Sequence, residues 1–431
     1  MSILNHLMVY RDFKERGDIL NNITYCIEGI KLNNGDKNEL SGLLHEAVYE
    51  LIDLGANNGF YGNLWHCYLT DLLVNNENAY TKATEIRGDI EGSLNKAVLN
   101  DIAVFKQLYD YDLVALGKEL GVENIEVITE YEPYKLESKV YNGRIQKRIC
   151  DLTNSLIECK SAEEMKDCIT QFYKEFGVGK FGLHKAFRVE ESNDGIKIVP
   201  ILKIAHVKLD DLVGYEIAKN KLRENTEAFV QGRKANNCLL YGDAGTGKSS
   251  SIKAIANEYY DEGLRIIEVY KHQFKYLNDV IAQIKSRNYK FIIYMDDLSF
   301  EDFEIEYKYL KAVIEGGLEK KPENILIYAT SNRRHLVRER FTDKEDRDDD
   351  LHTNDTVQEK LSLASRFGVS IYFESPDKKE FQNIVKELAI RNNIDMDEET
   401  LLLEANKWEL LHSGRSGRTA QQFIDHLLSI S

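Results

Sequence analysis

Residues 242–249 form a glycine-rich motif whose residue types suit a phosphate group. The sequence there is Gly-Asp-Ala-Gly-Thr-Gly-Lys-Ser, which matches the pattern G-x-x-x-x-G-K-[ST]. Its glycines let the backbone curl so that successive N–H groups point at phosphate oxygens. Lys248 can reach the β- and γ-phosphates, and the Ser249 hydroxyl can ligate Mg²⁺. The motif therefore predicts nucleoside triphosphate binding through Gly242, Asp243, Ala244, Gly245, Thr246, Gly247, Lys248, Ser249 and Ser250.

The segments on either side of the motif predict the strand and the helix that such a loop requires. Residues 238–241 form a short apolar run, which is typical of a buried strand. Apolar residues then recur at helical spacing at Ile252, Ile255 and Ala256. A helix that begins directly after the loop would add its positive dipole end to the phosphate site.

Residues 291–297 predict the metal-binding partner of the loop. They read Phe-Ile-Ile-Tyr-Met-Asp-Asp, an apolar strand that ends in two carboxylates. Beside a phosphate loop, Asp296 is expected to bind Mg²⁺ or to support its ligands, and Asp297 to orient or polarise the attacking water. The alternative is a strand that simply ends in a polar turn.

A second apolar strand, at residues 324–332, also ends in polar groups. It reads Asn-Ile-Leu-Ile-Tyr-Ala-Thr-Ser-Asn. An amide or hydroxyl group between the metal site and the γ-phosphate can hold a water in line by hydrogen bonding. Asn332 is the first candidate and Thr330 the second, and an ordinary polar strand end is the alternative.

Length and charge limit the classes of protein to which this chain can belong. A chain of 431 residues is long enough for two or three domains with their own cores. The net charge is −16, divided as −10 over residues 1–200 and −6 over residues 201–431. Neither half is basic, so a broad nucleic-acid interface is possible but not favoured.

Cysteine usage and hydropathy indicate the compartment. The six cysteines are scattered with no CxxC pair, which favours free thiols over a disulfide framework or a zinc site. The N-terminus lacks the basic region of a secretory leader, and no apolar run approaches the ~20 residues of a membrane span. We therefore expect a soluble, cytoplasmic protein with no membrane partner.

Periodicity divides the chain into four parts. Residues 1–180 show mainly helical patterns, and 181–206 predict a β-hairpin and linker with its turn at 193–195. Residues 207–376 alternate strand and helix patterns, which implies a mainly parallel, doubly wound sheet. Residues 377–431 read as helices only. In the first part, an aromatic cluster is either helix-packing core or a peptide-docking surface: Phe60, Tyr61, Trp65 and Tyr68.

The order of these parts resembles the AAA+ ATPases. That superfamily has a strand ending in a polar "sensor" residue after the acidic strand, and Thr-Ser-Asn at 330–332 matches it. The run Ser-Arg-Phe-Gly at 365–368 lies just before the last strand pattern. By this resemblance Arg366 is an arginine finger that points at the γ-phosphate of a neighbouring subunit. A solvent-exposed arginine at a helix end is the alternative.

The C-terminal part carries a further similarity to this superfamily. AAA+ lids often have a second arginine sensor at the start of a helix, and residues 414–420 read Gly-Arg-Ser-Gly-Arg-Thr-Ala. Arg418 fits this role best and Arg415 is the alternative. Upstream, residues 209–215 resemble the segment that packs on adenine. The residues that would line that pocket through backbone contacts are Val213 and Gly214.

The resemblance narrows to a bacterial family of AAA+ ATP-binding proteins grouped under a domain of unknown function. It covers about 207–431 and rests on the segments 236–242, 296–301, 329–335 and 415–418. The fold it implies is a P-loop AAA+ α/β doubly wound parallel sheet with a small C-terminal helical lid, preceded by a mainly helical N-terminal domain. ATP and Mg²⁺ are the implied cofactors, and the implied assembly is a homo-oligomer with the arginine finger in trans.

The second acidic position departs from the superfamily. Many AAA+ enzymes have glutamate where this chain has Asp297, whose carboxylate sits about 1.5 Å further back. Water activation would then be slower, or Glu301 would assist. Double aspartate also occurs in helicase-loader-like AAA+ proteins, which are often switches with slow turnover.

Charged residues between the second strand and Arg366 have two interpretations. The stretch 339–350 is either a solvated loop or a loop that contacts a partner and rearranges with nucleotide state. Arg333 and Arg334 are either further phosphate or inter-subunit contacts or surface salt bridges.

Three functions fit the sequence. The first is an oligomeric ATPase that remodels or switches a protein client, the second a loader-like ATP switch in DNA metabolism, and the third an ATP-binding scaffold with little turnover. A small-molecule kinase would leave Asn332, Arg366 and Arg418 without a role.

Overall fold

A computed structural model describes most of the chain. The described residues are 3–13, 16–33, 35–88, 90–133, 142–193, 195–300, 305–315, 322–333, 336, 363–412 and 414–430. The chain divides into two compact units, Met1–His184 and Lys185–Ser431. Within the described residues, no helix is both long enough and apolar enough to cross a membrane.

The first unit is helical, as predicted. Polar residues cap several of its helices: Asp36 and Asn63, for example, accept hydrogen bonds from first-turn N–H groups. The helices of its described part are α1 (Asp18–Leu32), α2 (Lys37–Asn58), α3 (Leu64–Asn75), α4 (Ala79–Arg87), α5 (Ser93–Tyr109), α6 (Leu113–Leu120), α7 (Gly143–Glu158), α8 (Ala162–Phe176) and α9 (Gly179–Leu183).

The aromatic cluster belongs to the core of this unit. Phe60, Trp65 and Tyr68 are buried, and only Tyr61 is exposed, at 42%. The Trp65 ring stacks on Tyr68 with centroids 5.7 Å apart, and its Nε1 donates to the carbonyl oxygen of Leu108 at 2.9 Å. Three of the four aromatic residues therefore pack helices together, and the core interpretation is confirmed for them.

The second unit is built on a seven-stranded sheet of described residues, in the order β2-β1-β4-β5-β6-β3-β7. Neighbouring strands are parallel, except that β1 and β2 are antiparallel. The strands are β1 (Ala186–Ser192), β2 (Gly195–Pro200), β3 (Cys238–Gly242), β4 (Leu264–Glu268), β5 (Lys290–Met295), β6 (Ile325–Ser331) and β7 (Val369–Phe373). The helices that accompany them are α10 (Glu216–Val230), α11 (Lys248–Glu258), α12 (Leu277–Ile284) and α13 (Glu306–Glu315).

The predicted hairpin is present, and it extends the sheet. Phe187 pairs with Pro200 and Ser192 with Gly195 across β1 and β2. The first strand also pairs in parallel with β4, so the hairpin continues the sheet beyond that strand. At the centre of the sheet, β6 lies between β3 and β5. Its polar end therefore lies between the glycine-rich loop and the two aspartates.

The C-terminal helices form the predicted small lid with a core of its own. They are α14 (Lys378–Arg391), α15 (Glu398–Leu411) and α16 (Gly417–Ile430). Asp377 and Asp397 cap the first two by accepting first-turn N–H groups. The lid core is made of buried apolar residues from all three helices, among them Phe381, Val385, Ala405, Phe423 and Ile424.

Candidate functional site

The glycine-rich loop joins the end of β3 to the start of α11. Gly242 has φ +139° and Gly247 has φ +88°, in the range that favours glycine. A Cβ atom at residue 242 would lie 2.0 Å from the carbonyl oxygen of Phe373. A side chain there would force β3 and β7 apart, so the loop depends on glycine at this position.

The first turn of α11 points backbone donors into the loop. The helix begins at Lys248, and Gly247 before it has no side chain to cap the helix. The N–H groups of a first helical turn have no partner within the helix, and the helix dipole favours negative charge there. This arrangement suits a phosphate group.

Lys248 is buried at the mouth of the loop, with 6% of its surface exposed. Its Nζ donates to the carbonyl oxygens of Gly242 at 2.9 Å and Asp243 at 2.6 Å. Burial lowers the pKa of its ammonium group, and the carboxylates of Asp243, Asp297 and Asp296 act against that shift. The loop thus holds a cation in front of the α11 N-terminus.

Asp296 joins the loop helix to the central strands. Its Oδ1 accepts hydrogen bonds from Ser249 Oγ at 2.7 Å and from Thr330 Oγ1 at 2.5 Å. Burial acts to raise the pKa of this carboxyl, but hydrogen bonds to its charged form, from Thr330, Tyr294 and Ser249 and from the backbone of Asp297, outweigh burial and the pKa is lowered. Asp296 is therefore ionised at neutral pH, beside a hydroxyl oxygen.

Asp297 is held in a backbone conformation that few residues adopt. Its φ of +49° lies in the left-handed region, which is strained for residues other than glycine but tolerated by aspartate. Its N–H donates to Thr330 Oγ1 at 2.9 Å, and its Oδ1 accepts from Asn332 Nδ2 at 2.8 Å. Thr330 thus bridges both aspartates, and Asn332 contacts the carboxylate of the second.

These groups open into one cavity of about 800 Å³. Its polar lining contains the loop residues 244–250, the two aspartates, Thr330 and Asn332. Its apolar lining consists of Val207, Leu212, Val213, Tyr215, Ile384 and Leu388. A cavity that combines phosphate-binding groups with apolar side chains suits a nucleotide.

The lid contributes one of the two candidate arginines to this cavity. Arg418 lines it, and its backbone N–H donates to the Gly245 carbonyl oxygen at 3.1 Å. Arg415 instead donates from Nε to the carboxylate of Glu409 at 2.7 Å, within the lid. Between the two arginines, Ser416 caps α16 by accepting the N–H of Thr419 at 3.0 Å.

Other predicted site residues lie outside the cavity or outside the described residues. Arg366 is not among the residues lining the cavity and pairs with Glu315 of α13 at 2.5 Å. Gly214 lies between two lining residues with φ +83°, and a Cβ atom there would lie 3.9 Å from Ile384 Cδ1. Glu301, Arg334 and the charged stretch 339–350 fall outside the described residues.

The sequence reasoning missed several residues of the cavity. Tyr215 has φ +60°, directly precedes α10 and lines the cavity. Along α16, the residues three, four and seven positions after Arg418 also line the cavity: Gln421, Gln422 and Asp425. The sequence shows apolar residues at helical spacing in this segment. The polar residues on the opposite face of the same helix would have identified these positions.

Parts of the chain are similar to known proteins. Residues 182–430, more than half of the chain, match the family described as "Protein of unknown function (DUF815)". The replication factor C large subunit of Staphylothermus marinus is 36% identical over 81 residues, 19% of this chain and 18% of that protein. The chromosomal replication initiator protein DnaA of Borreliella burgdorferi is 26% identical over 219 residues, 48% of this chain and 41% of that protein.

The chain therefore spans less than half the length of these curated relatives. Among solved structures, two mutants of RuvB from Thermotoga maritima are each 18% identical and cover 52% of this chain. The match covers 67% of one mutant chain and 66% of the other, with TM-scores of 0.36 and 0.35.

Proposed function

Because the chain belongs to the DUF815 family, a family of P-loop AAA+ ATPases, we propose that it binds and hydrolyses Mg-ATP as a homo-oligomer. In this proposal hydrolysis remodels or switches a protein client. The observation that carries the proposal is one hydrogen-bonded network beside the loop, formed by Ser249, Asp296, Thr330, Asp297 and Asn332. It joins a hydroxyl at the helix N-terminus to two carboxylates and an amide.

The loop side of the network suits the triphosphate and its metal. Lys248 and the N–H groups of the first α11 turn would bind the phosphates. The Ser249 hydroxyl and the Asp296 carboxylate would hold Mg²⁺, because oxygen ligands from one or two side chains plus phosphate oxygens are what this ion takes. Mg²⁺ would supply neutralisation of the charge that develops on the phosphate oxygens.

The strand side of the network suits a water molecule. We assign Asp297 as the base that takes a proton from the attacking water, and Asn332 as the residue that orients that carboxylate and the water. The left-handed backbone of Asp297 supports this assignment, because strained conformations persist where the surrounding bonds require them. The shorter aspartate side chain is expected to make turnover slow.

Two arginines would connect this site to a neighbouring subunit and to the lid. Arg366 is assigned as a finger acting in trans. This is supported by its position outside its own cavity and by a side chain that is 26% exposed. Arg418 is assigned as the lid residue that senses the γ-phosphate, since it lines the cavity and follows the Ser416 cap.

The test is the ATPase rate measured against protein concentration, with molecular mass from light scattering. The wild type should show a specific rate that rises with concentration as assemblies form. Lys248→Ala and Asp297→Asn should lose turnover, and Arg366→Ala should lose the concentration-dependent part. Arg233→Ala removes an exposed arginine that bonds Gln231, and it should behave as wild type.

Wild-type turnover that is the same at all concentrations and survives Arg366→Ala would refute the trans finger. Tight ATP binding without turnover would refute the proposal of a hydrolase and favour the ATP-binding scaffold.

A loader-like switch in DNA metabolism is the second candidate. It is favoured by the partial similarity to DnaA and to the replication factor C large subunit. The net charge of −16 opposes it, because phosphate-backbone binding needs a basic surface. Stimulation of the ATPase rate by single-stranded DNA, at several salt concentrations, would favour this candidate over a protein client.

A further inference from the structure

The cavity-facing side of α16 carries polar residues beyond Arg418 that the proposed reaction does not use. Gln421, Gln422 and Asp425 lie three, four and seven positions after Arg418, and all four residues line the cavity. Residues at this spacing share one face of a helix. The other face packs into the lid core through buried residues: Ala420, Phe423, Ile424 and Leu427.

α16 carries this polar stripe from the glycine-rich loop along the wall of the cavity. The helix starts at the loop, where the Arg418 N–H donates to the Gly245 carbonyl oxygen. With a rise of 1.5 Å per residue, Asp425 lies about 10 Å further along the axis than Arg418. At that distance from the loop Asp425 still lines the cavity, as do apolar residues that suit the base, such as Val213 and Ile384. In a nucleotide the ribose joins the phosphates to the base, so Asp425 is a candidate for contact with the sugar.

The chemistry of a carboxylate selects which part of the nucleotide it can bind. An ionised carboxylate only accepts hydrogen bonds, so it pairs with donors and is repelled by phosphate oxygens. The ribose 2′- and 3′-hydroxyls are such donors, and dinucleotide-binding folds also bind a ribose hydroxyl with an acidic residue. Asp425 Oδ1 already accepts Gln421 Nε2 at 2.8 Å, which fixes the side chain and leaves acceptor positions for the sugar.

We propose that Asp425 binds the ribose diol of the nucleotide and makes this site selective for ribonucleotides over deoxyribonucleotides. Gln421 positions the carboxylate from one helical turn earlier. This inference rests on the proposed function, because it requires that the cavity binds ATP. It adds a sugar-reading residue on the lid, so that lid closure and sugar recognition depend on the same helix.

The test is isothermal titration calorimetry of the full chain with Mg²⁺ and ATP, 2′-deoxy-ATP or 3′-deoxy-ATP. The wild type should bind ATP about tenfold more tightly than at least one deoxy analogue, since a hydrogen bond to a charged group is lost. Asp425→Ala should weaken ATP binding and remove this preference. Asp395→Ala makes the same change at another exposed lid position and should keep the preference.

The outcomes separate this inference from the proposed function. Equal binding of all three nucleotides by the wild type, or a preference that survives Asp425→Ala, would overturn the ribose assignment while ATP binding stands. GTP is titrated in the same way. If Asp425→Ala changes the ratio of GTP affinity to ATP affinity but leaves the preference for ribose unchanged, the ribose assignment is also overturned. No binding of ATP by the wild type, or binding unaffected by Lys248→Ala, would refute the proposed function and this inference with it.

Discussion

Thr330→Val tests the network at its centre, because one hydroxyl there serves both aspartates. Thr330 is 1% exposed, donates to Asp296 at 2.5 Å and accepts the N–H of Asp297 at 2.9 Å. Valine keeps the shape of the side chain and removes both hydrogen bonds. The carboxylate loses a donor, and the N–H of Asp297 keeps only its longer bond to Asp296 Oδ1, at 3.2 Å.

The expected cost follows from these two losses. A hydrogen bond to a charged group contributes about 1.5–3 kcal/mol, and the exposed position of Asp296 places this one at the lower end. The N–H of Asp297 loses its shorter bond but keeps the one to Asp296, which adds about 0.5–1 kcal/mol. We therefore expect the free energy of unfolding of the second unit to fall by about 2–3 kcal/mol. We also expect the kcat for ATP to fall by about tenfold to a hundredfold, since Asp297 loses its fixed backbone.

The assays are urea unfolding followed by circular dichroism and steady-state phosphate release. Thr330→Ser keeps the hydroxyl and serves as the matched control. Its kcat should stay within about threefold of wild type, because only a methyl group is lost. The reasoning is refuted if Thr330→Val keeps wild-type kcat and stability, or if Thr330→Ser is as impaired as Thr330→Val.

Three further predictions concern the loop, the first unit and the finger. Gly242→Ala should destabilise the chain by about 3 kcal/mol or more in urea unfolding, because its Cβ would meet the Phe373 carbonyl oxygen at φ +139°. Burial lowers the pKa of His66 in the folded chain. As the pH falls, the unfolded chain therefore binds a proton at His66 before the folded chain does. The free energy of unfolding should therefore fall as pH drops below about 6.5, and His66→Gln should remove that slope in urea titrations at several pH values. Glu315→Gln should lower the concentration-dependent ATPase rate about twofold to fivefold, because Arg366 loses the partner that orients it. A rate equal to wild type would exclude such a role for Glu315.

The parts of the fold that the sequence predicted are those with local signals. The loop motif, the apolar runs of β3, β5 and β6 and the glycine-containing turn at 193–195 each carry their signal within a few residues. The helical character of the first unit follows from periodicity in the same way. Its aromatic residues carry no such signal, because burial depends on contacts between helices that are distant in sequence.

Features that depend on strand order or on backbone strain were not predictable in this way. The position of β6 between β3 and β5 brings Thr330 onto both aspartates, and no local pattern encodes that order. The left-handed conformation of Asp297 is imposed by hydrogen bonds from residues more than thirty positions away. The choice between Arg415 and Arg418 needed the position of Glu409, which bonds Arg415 inside the lid.

Subunit mixing tests the central claim, that two chains build each active site, most directly. Asp297→Asn lacks the proposed base but keeps the proposed finger, and Arg366→Ala lacks the proposed finger but keeps the proposed base. Each variant alone should release phosphate at a small fraction of the wild-type rate. An equal mixture should recover activity, because random assembly leaves about a quarter of head-to-tail interfaces with both groups intact. A mixture no more active than its two components would contradict the account.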